Sequence, residues 1–176
     1  GVTFDVEAAY ASALRNGSVY SVNNRKNSYS GRAHMDGMVF LGYVPQDGVT
    51  GGWGGDEFSF SWSMEGSGTD FAIASMAKYL RDKAELGSEA WQKYNDEYLY
   101  FTARATNYVH LFNESMGGWF RAKKSDGTWL QTDEQFDPTA QGYGYCEDNA
   151  YNYAFPPYDG QGLANLYGMA RDKDGR

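Results

Sequence analysis

The stretch from Tyr143 to Leu163, YGYCEDNAYNYAFPPYDGQGL, combines a carboxylate with closely spaced aromatic, amide and glycine residues. The carboxylate of interest is Glu147. Aromatic rings exclude water and so raise the pKa of a carboxyl group, and a carboxylic acid still protonated near neutral pH can donate a proton to a leaving oxygen. The same residues also allow a local interpretation, in which Glu147 and Asp148 cap a helix that begins near Asn149.

A proton donor of this kind works in glycoside hydrolysis together with a second carboxylate that acts as base or nucleophile. Three further acidic residues are candidates for that role or for contacts with a sugar: Glu65, Asp70 and Asp159. Each of them also has a capping or surface explanation. Asp159, for example, stands where a last helix is predicted to begin, so both interpretations stay open.

Other kinds of chemistry lack the residues that they need. Two histidines and one cysteine do not make a usual zinc site, and no P-loop, dinucleotide fingerprint or nucleophile elbow is present. A net charge of -8 argues against a nucleic-acid backbone as partner, because that affinity comes from clustered Lys and Arg. No apolar run approaches the length of a membrane span.

The 176 residues suit one domain or a piece of a larger one, and their periodicity predicts a mainly α-helical structure. A first helix is predicted from Thr3, as N-cap, to Asn16, with Gly17 just past its last turn. Its predicted buried stripe consists of Val6, Tyr10, Ala13 and Leu14. The segment 18–55 shows no clear period and is predicted to be a long irregular region.

Two longer helices are predicted in the middle of the chain. The capping pattern from Ser67 to Asp70 predicts the start of one, which ends near Lys83. The next begins near Ser88 and carries large rings at alternating steps of three and four, which favours packing of helix on helix. The stripe comprises Trp91, Tyr94, Tyr98, Phe101, Ala105, Tyr108 and Phe112.

The last third of the chain predicts a small β-hairpin and a final helix. Asp126 and Gly127 form a turn signal between apolar residues that include Trp119 and Trp129. Asp159 is the predicted cap of the final helix, and Gly168 is its predicted stop. The apolar face of that helix consists of Leu163, Leu166 and Tyr167.

Five motifs in one order resemble the middle of the catalytic module of glycoside hydrolase family 92. Residues 147–163 of this chain resemble the family sequence EGNAWQYTFFVPHDVEGL. Residues 65–78, EGSGTDFAIASMAK, resemble the family sequence EYAYDDWCIAQMAK. Its NYxNLFDxxTGFMRxRxxDGSW pattern resembles residues 107–129, while FDVEAAY and LGYVPxD resemble residues 4–10 and 41–47. The resemblance therefore extends over nearly the whole chain.

This resemblance implies a calcium-dependent, exo-acting α-mannosidase that inverts anomeric configuration. It implies part of an (α/α)6 barrel with long loops and a small β-hairpin, so residues 1–176 would be a fragment of a single catalytic domain. Glu147 falls on the general acid of the family. Tyr145, Asn149 and Asp159, with Glu65 and Asp70, are expected around the sugar.

The implied partners are a mannose-containing glycan, with α-1,2-linked mannose at its ends, and the remaining segments of the same catalytic module. The family's general base and most of its calcium ligands belong to motifs that follow this region, so residues 1–176 alone are expected to be inactive. The implied location is secreted or periplasmic.

The chain also departs from the family pattern. The glycine after the acid is Asp148 here, and the histidine before Asp159 is Tyr158. Two alternatives therefore stay open: a non-catalytic carbohydrate-binding or assembly module, and an (α/α)6 glycosidase with another sugar specificity.

Overall fold

The computed structural model describes residues 3–19, 32, 34–47, 59–138 and 156–174. Within these ranges the chain is mainly helical, which confirms the predicted class. Its α-helices, in chain order, are α1 Val6–Ser18, α2 Met35–Phe40, α3 Ser59–Lys83, α4 Glu89–Ala105 and α5 Gly160–Asp174. Two short strands, β1 Phe112–Asn113 and β2 Trp119–Phe120, lie between α4 and α5. Closure of the helices into an (α/α)6 barrel stays a prediction.

Helix α1 begins two residues later than the prediction of a Thr3 cap. Asp5 is the N-cap, because its Oδ1 accepts a hydrogen bond of 3.0 Å from the backbone N–H of Ala8. The helix also includes Gly17, which was expected beyond its end. Gly17 is buried there and packs closely against Ile73, so a larger residue would collide with that side chain. The start and the end were therefore both wrong by a few residues.

Helix α3 begins at Ser59, so the prediction that a capping box at Ser67 opens it was wrong. Two of the buried serines of this helix satisfy their hydroxyl groups on carbonyls one turn back. Ser63 donates to the carbonyl of Ser59 at 2.8 Å, and Ser67 donates to the carbonyl of Ser63 at 3.1 Å. Asp70 consequently lies in the middle of α3 rather than in its first turn. The predicted end at Lys83 is confirmed.

Helix α4 begins as predicted, with Ser88 as N-cap accepting from the N–H of Trp91 at 3.1 Å. It ends at Ala105, and a 3-10 turn over Asn107–Leu111 follows it. The predicted stripe of rings therefore does not continue on one helix to Phe112. The change of direction after Ala105 sends the last rings into a different part of the core.

The core has two main clusters of buried residues. One lies between α1, α3 and α4 and contains Tyr10, Ile73, Ala74, Ala77, Leu80 and Phe101, with the predicted α1 residues Val6, Ala13 and Leu14 packed against it. The other surrounds the strands and contains Tyr43, Phe60, Met64, Tyr108, Leu111, Phe112, Phe120, Ala122 and Phe136. Helix α3 contributes to both clusters, so it connects the packed helices α1, α3 and α4 to the residues around the strands.

The small β structure is antiparallel. Phe112 pairs with Phe120 in β1 and β2, and a separate bridge joins Lys123 to Trp129 across the predicted turn. Asp126 stabilises this turn, because its Oδ1 accepts a hydrogen bond of 2.9 Å from the N–H of Thr128. The predicted hairpin is thus confirmed at its turn.

Helix α5 begins directly after its predicted cap. Asp159 Oδ1 accepts a hydrogen bond of 3.1 Å from the N–H of Gly162. The predicted face of Leu163, Leu166 and Tyr167 packs against the strand cluster. Gly168 does not end the helix, which continues to Asp174. Its φ angle lies outside the left-handed region that a glycine stop requires.

Candidate functional site

Three of the six predicted site residues lie outside the described residues: Glu147, Tyr145 and Asn149. Their roles stay predictions. The other three, Glu65, Asp70 and Asp159, have defined positions on α3 and at the start of α5. These positions differ greatly in burial and in the partners of each carboxylate.

Asp159 is held by hydrogen bonds to both of its carboxylate oxygens. Its Oδ1 accepts from the N–H of Gly162, and its Oδ2 accepts from the hydroxyl of Tyr108 at 2.7 Å. Tyr108 is 1% exposed, whereas Asp159 is half-buried. Burial, together with the hydrogen bond to Asp159, raises the pKa of Tyr108, so its hydroxyl stays a donor throughout the physiological pH range.

Tyr158 turns toward the helices beside Asp159. Its ring stacks on Phe71 of α3 at a centroid distance of 4.7 Å, and its hydroxyl donates to the carbonyl of Ala105 at 2.9 Å. The rings of Tyr158 and Tyr108 meet edge to face. Burial is the main cause that raises the pKa of Tyr158, and the charges of Asp159 and Asp70 add to it. We refer to Phe71, Ala105, Tyr108, Tyr158 and Asp159 as the tyrosine site.

Asp70 is fully buried and lies between two arginines. Arg104 binds both carboxylate oxygens, with Nε 2.6 Å from Oδ2 and Nη2 2.5 Å from Oδ1. Arg32 also binds both oxygens, at 2.5 and 3.3 Å. Arg104 Nη2 in addition donates to the carbonyl of Gly17 at 2.6 Å. The carboxylate of Asp70 therefore connects α3 to α4 and to Arg32, and Arg104 extends this network to the end of α1.

The electrostatics of this buried pair favour the charged form of the arginine. Burial alone would lower the pKa of Arg104, but the hydrogen bond and the charge of Asp70 outweigh it and raise that pKa. A buried carboxylate with four hydrogen bonds from two guanidinium groups has the contacts of a structural residue. The predicted contact of Asp70 with a sugar stays a prediction.

Glu65 is exposed on α3, whereas Asp70 is buried. Five residues separate them, which places the two side chains on different faces of a helix. The structure therefore does not bring Glu65 and Asp70 together. The charges of Asp70 and Asp159 both add to the raised pKa of Tyr158.

The tyrosine site presents one carboxylate with spare capacity as an acceptor. A carboxylate has about four acceptor positions, and the hydrogen bonds from Tyr108 and Gly162 use two of them at Asp159. Within the described chain, Asp159 forms no ion pair with a lysine or arginine. This arrangement suits acceptance of hydrogen bonds from hydroxyl groups of a polar ligand.

Sequence reasoning missed the residues that hold these carboxylates. Arg104 carried a usable signal, because it lies between Phe101 and Ala105 on the buried side of α4, where a cation requires a partner. Arg32 carried none, since its surroundings in the sequence have no period. Tyr108 was predicted only as part of a buried stripe, and its hydroxyl partner lies 51 residues away.

The described residues do not provide a calcium site by themselves. No group of three or more His, Cys, Asp or Glu side chains in this part of the chain is placed to hold a metal ion. Among the same residues, no helix is long and apolar enough to cross a membrane.

A groove between α1 and α4 is lined by none of the predicted site residues. Apolar side chains of both helices line it together with the charged residues Arg15, Asp96 and Glu97. Glu97 already accepts a hydrogen bond of 2.8 Å from the hydroxyl of Tyr10. The groove is therefore separate from the tyrosine site in the residues that form it.

Comparison with known families gives a match over almost the whole chain. The sequence profile of the glycosyl hydrolase family 92 catalytic domain matches residues 1–173. No curated protein sequence matches the chain. The family comprises glycoside hydrolases, so its substrates are glycans. The chain belongs to glycoside hydrolase family 92.

Proposed function

We propose that this chain is the central part of the catalytic module of an exo-acting, inverting α-mannosidase that removes terminal mannose, α-1,2-linked by preference, from glycans. The observation that carries the proposal is the family match over residues 1–173. The ordered motifs described above support it, because they include the position of Glu147. We further propose that the barrel is an (α/α)6 toroid and that the protein is secreted or periplasmic.

In the proposed reaction Glu147 donates a proton to the glycosidic oxygen as the bond to the anomeric carbon breaks. A water molecule, activated by a base from another segment of the module, attacks the opposite face of the ring. Because the leaving group is displaced once, the configuration at the anomeric carbon is inverted. Asp159 is proposed to accept hydrogen bonds from mannose hydroxyl groups, which its half-buried carboxylate and its spare acceptor positions support.

Calcium is proposed as a cofactor because of the family resemblance, with ligands that lie mostly outside this chain. The described residues contain no cluster that fits the ion, so none of them is assigned as a ligand. Removal of calcium with a chelator should abolish mannosidase activity, and added calcium should restore it. Full activity after exhaustive chelation would contradict calcium dependence.

The test of the general acid uses the full-length protein that carries this chain. Glu147→Gln should lower turnover of an alkyl α-mannoside by at least ~100-fold, the usual scale of general acid catalysis. Turnover of a dinitrophenyl α-mannoside should fall much less, since that leaving group needs no proton. Exposed Glu85 offers a matched control, and Glu85→Gln should leave both rates unchanged.

The anomer formed first, observed by NMR, tests the stereochemistry. An inverting α-mannosidase releases β-mannose. Equal losses on both mannosides, or an unchanged rate on the alkyl substrate, would reject Glu147 as the acid. Hydrolysis of another aryl glycoside in preference to the mannoside would reject the sugar assignment, and mannose binding without any hydrolysis would reject the catalytic function.

A further inference from the structure

The carboxylate of Asp159 is held by two hydrogen bonds, one to each of its oxygens. Tyr108 donates to Oδ2 from the core, and the N–H of Gly162 donates to Oδ1 from the first turn of α5. A side chain at residue 162 would also collide with this carboxylate. A Cβ there would lie 2.7 Å from both Cγ and Oδ1 of Asp159, and closer still to Oδ2.

A helix cap alone does not require this arrangement. An N-cap aspartate needs one hydrogen bond from the first turn, and the bond from Gly162 supplies it. The hydroxyl of Tyr108 adds a second, longer-range constraint, which costs a buried phenol group its hydration. The two hydrogen bonds orient the carboxylate, and the absence of a side chain at residue 162 leaves room for it in that position, so its remaining acceptor positions can accept from a ligand.

We propose that Tyr108 and Gly162 are positioning residues, which hold the carboxylate of Asp159 in the orientation that accepts hydrogen bonds from the hydroxyl groups of the terminal sugar. This inference rests on the proposed function and extends it to two residues that do not touch the substrate. Orientation before binding lowers the entropic cost of holding the sugar, so loss of either residue should weaken binding more than it slows chemistry.

The chain offers a matched control for each residue. Tyr10 is also a buried tyrosine whose hydroxyl donates to a carboxylate, that of Glu97 at 2.8 Å, but it lies in the contact of α1 with α4. Gly160 belongs to the same turn as Gly162, and no described atom lies within 4 Å of a Cβ added there. Tyr10→Phe and Gly160→Ala therefore make the same two chemical changes at positions that do not contact the carboxylate of Asp159.

The experiment measures KM, kcat and Tm for the full-length protein on a terminal α-mannoside. Tyr108→Phe and Gly162→Ala should each raise KM about tenfold, the equivalent of one hydrogen bond to a charged group, with kcat within about threefold of wild type. Tyr10→Phe and Gly160→Ala should keep the wild-type KM. Tyr108→Phe and Tyr10→Phe should lower Tm by similar amounts, since each removes one buried hydrogen bond.

An unchanged KM in Gly162→Ala would overturn the positioning role, and so would a loss confined to kcat in either variant. If Tyr108→Phe does not fold, the KM of Gly162→Ala relative to that of Gly160→Ala tests the positioning role by itself. Asp159→Asn separates the two hypotheses. A raised KM in Asp159→Asn alone would overturn the positioning role and leave the proposed function standing, whereas full activity of Glu147→Gln would reject the proposed function itself.

Discussion

The guanidinium group of Arg104 binds both oxygens of the fully buried Asp70 carboxylate, although 34 residues separate the two along the chain. This pair joins α3 to α4 at the level where α1 ends. The next residue of α3, Phe71, stacks on the ring of Tyr158 at a centroid distance of 4.7 Å. Consecutive residues of α3 therefore serve two contacts, the ion pair of Asp70 with α4 and the stacking of Phe71 on Tyr158.

Asp70→Asn should destabilise the fold strongly. The substitution removes the negative charge and leaves the buried Arg104 cation without its counter-charge, which typically costs about 3–5 kcal/mol. Thermal or urea unfolding checks this expectation. Asp82→Asn is the control, because Asp82 also binds an arginine and a lysine but is exposed, and its loss should be small. Equal effects of the two variants would contradict the structural role of Asp70.

Asp133→Asn should make the stability of the folded protein depend less on pH in the acidic range. The hydrogen bond from Arg121 is the main cause that lowers the pKa of Asp133, and one from Ser115 adds to it. The folded pKa is below the unfolded value near 4, so this contact stabilises the protein above about pH 4 and is lost as the pH falls through the folded pKa.

Tm measured between pH 7 and pH 3 checks this direction. The wild type should lose more stability than Asp133→Asn on acidification, and the exposed control Glu85→Gln should follow the wild type. Parallel curves for the wild type and Asp133→Asn would show that the Arg121 contact does not form in solution.

Gly17→Ala should destabilise the protein although alanine is the better helix former. A Cβ at residue 17 would lie 2.5 Å from Cδ1 of Ile73 and 3.2 Å from Cε1 of Phe101. Such overpacking costs about 1–3 kcal/mol, which exceeds the gain in helix propensity. The matched control is Gly168→Ala in α5, where no described atom lies within 4 Å, and a gain of about 0.5–1 kcal/mol is expected.

Chemical denaturation of the two glycine variants separates these effects. Gly17→Ala and Gly168→Ala should shift the unfolding midpoint in opposite directions. A stabilised Gly17→Ala would mean that α1 can move away from α3 and α4 at little cost.

Local patterns predicted several elements well. The Ser88 cap, the turn at Asp126 and the apolar faces of α1 and α5 depend on residues a few positions apart, and all of them are confirmed. Predicted ends were less accurate. Helix α3 starts eight residues earlier than predicted, in a Ser- and Gly-rich stretch whose local propensity does not indicate a helix but whose buried hydroxyls find acceptors one turn back.

The partners of the carboxylates depended on long-range geometry. Asp70 was predicted as part of a capping box, but its two arginines come from residue 32 and from α4. Tyr108 was predicted for the core alone, and only the tertiary structure places its hydroxyl against Asp159. Neither relation has a characteristic spacing in the sequence.

By itself, the sequence determined the family and the helical class, because residue types and short spacings carry that information. The tertiary structure decided which carboxylate is enclosed by arginines and which is half-buried with two hydrogen bonds and no ion pair among the described residues. Burial and hydrogen-bond partners set that difference, and both arise from contacts between residues far apart in the chain: Asp70 between two arginines in the interior, and Asp159 half-buried on the hydroxyl of Tyr108.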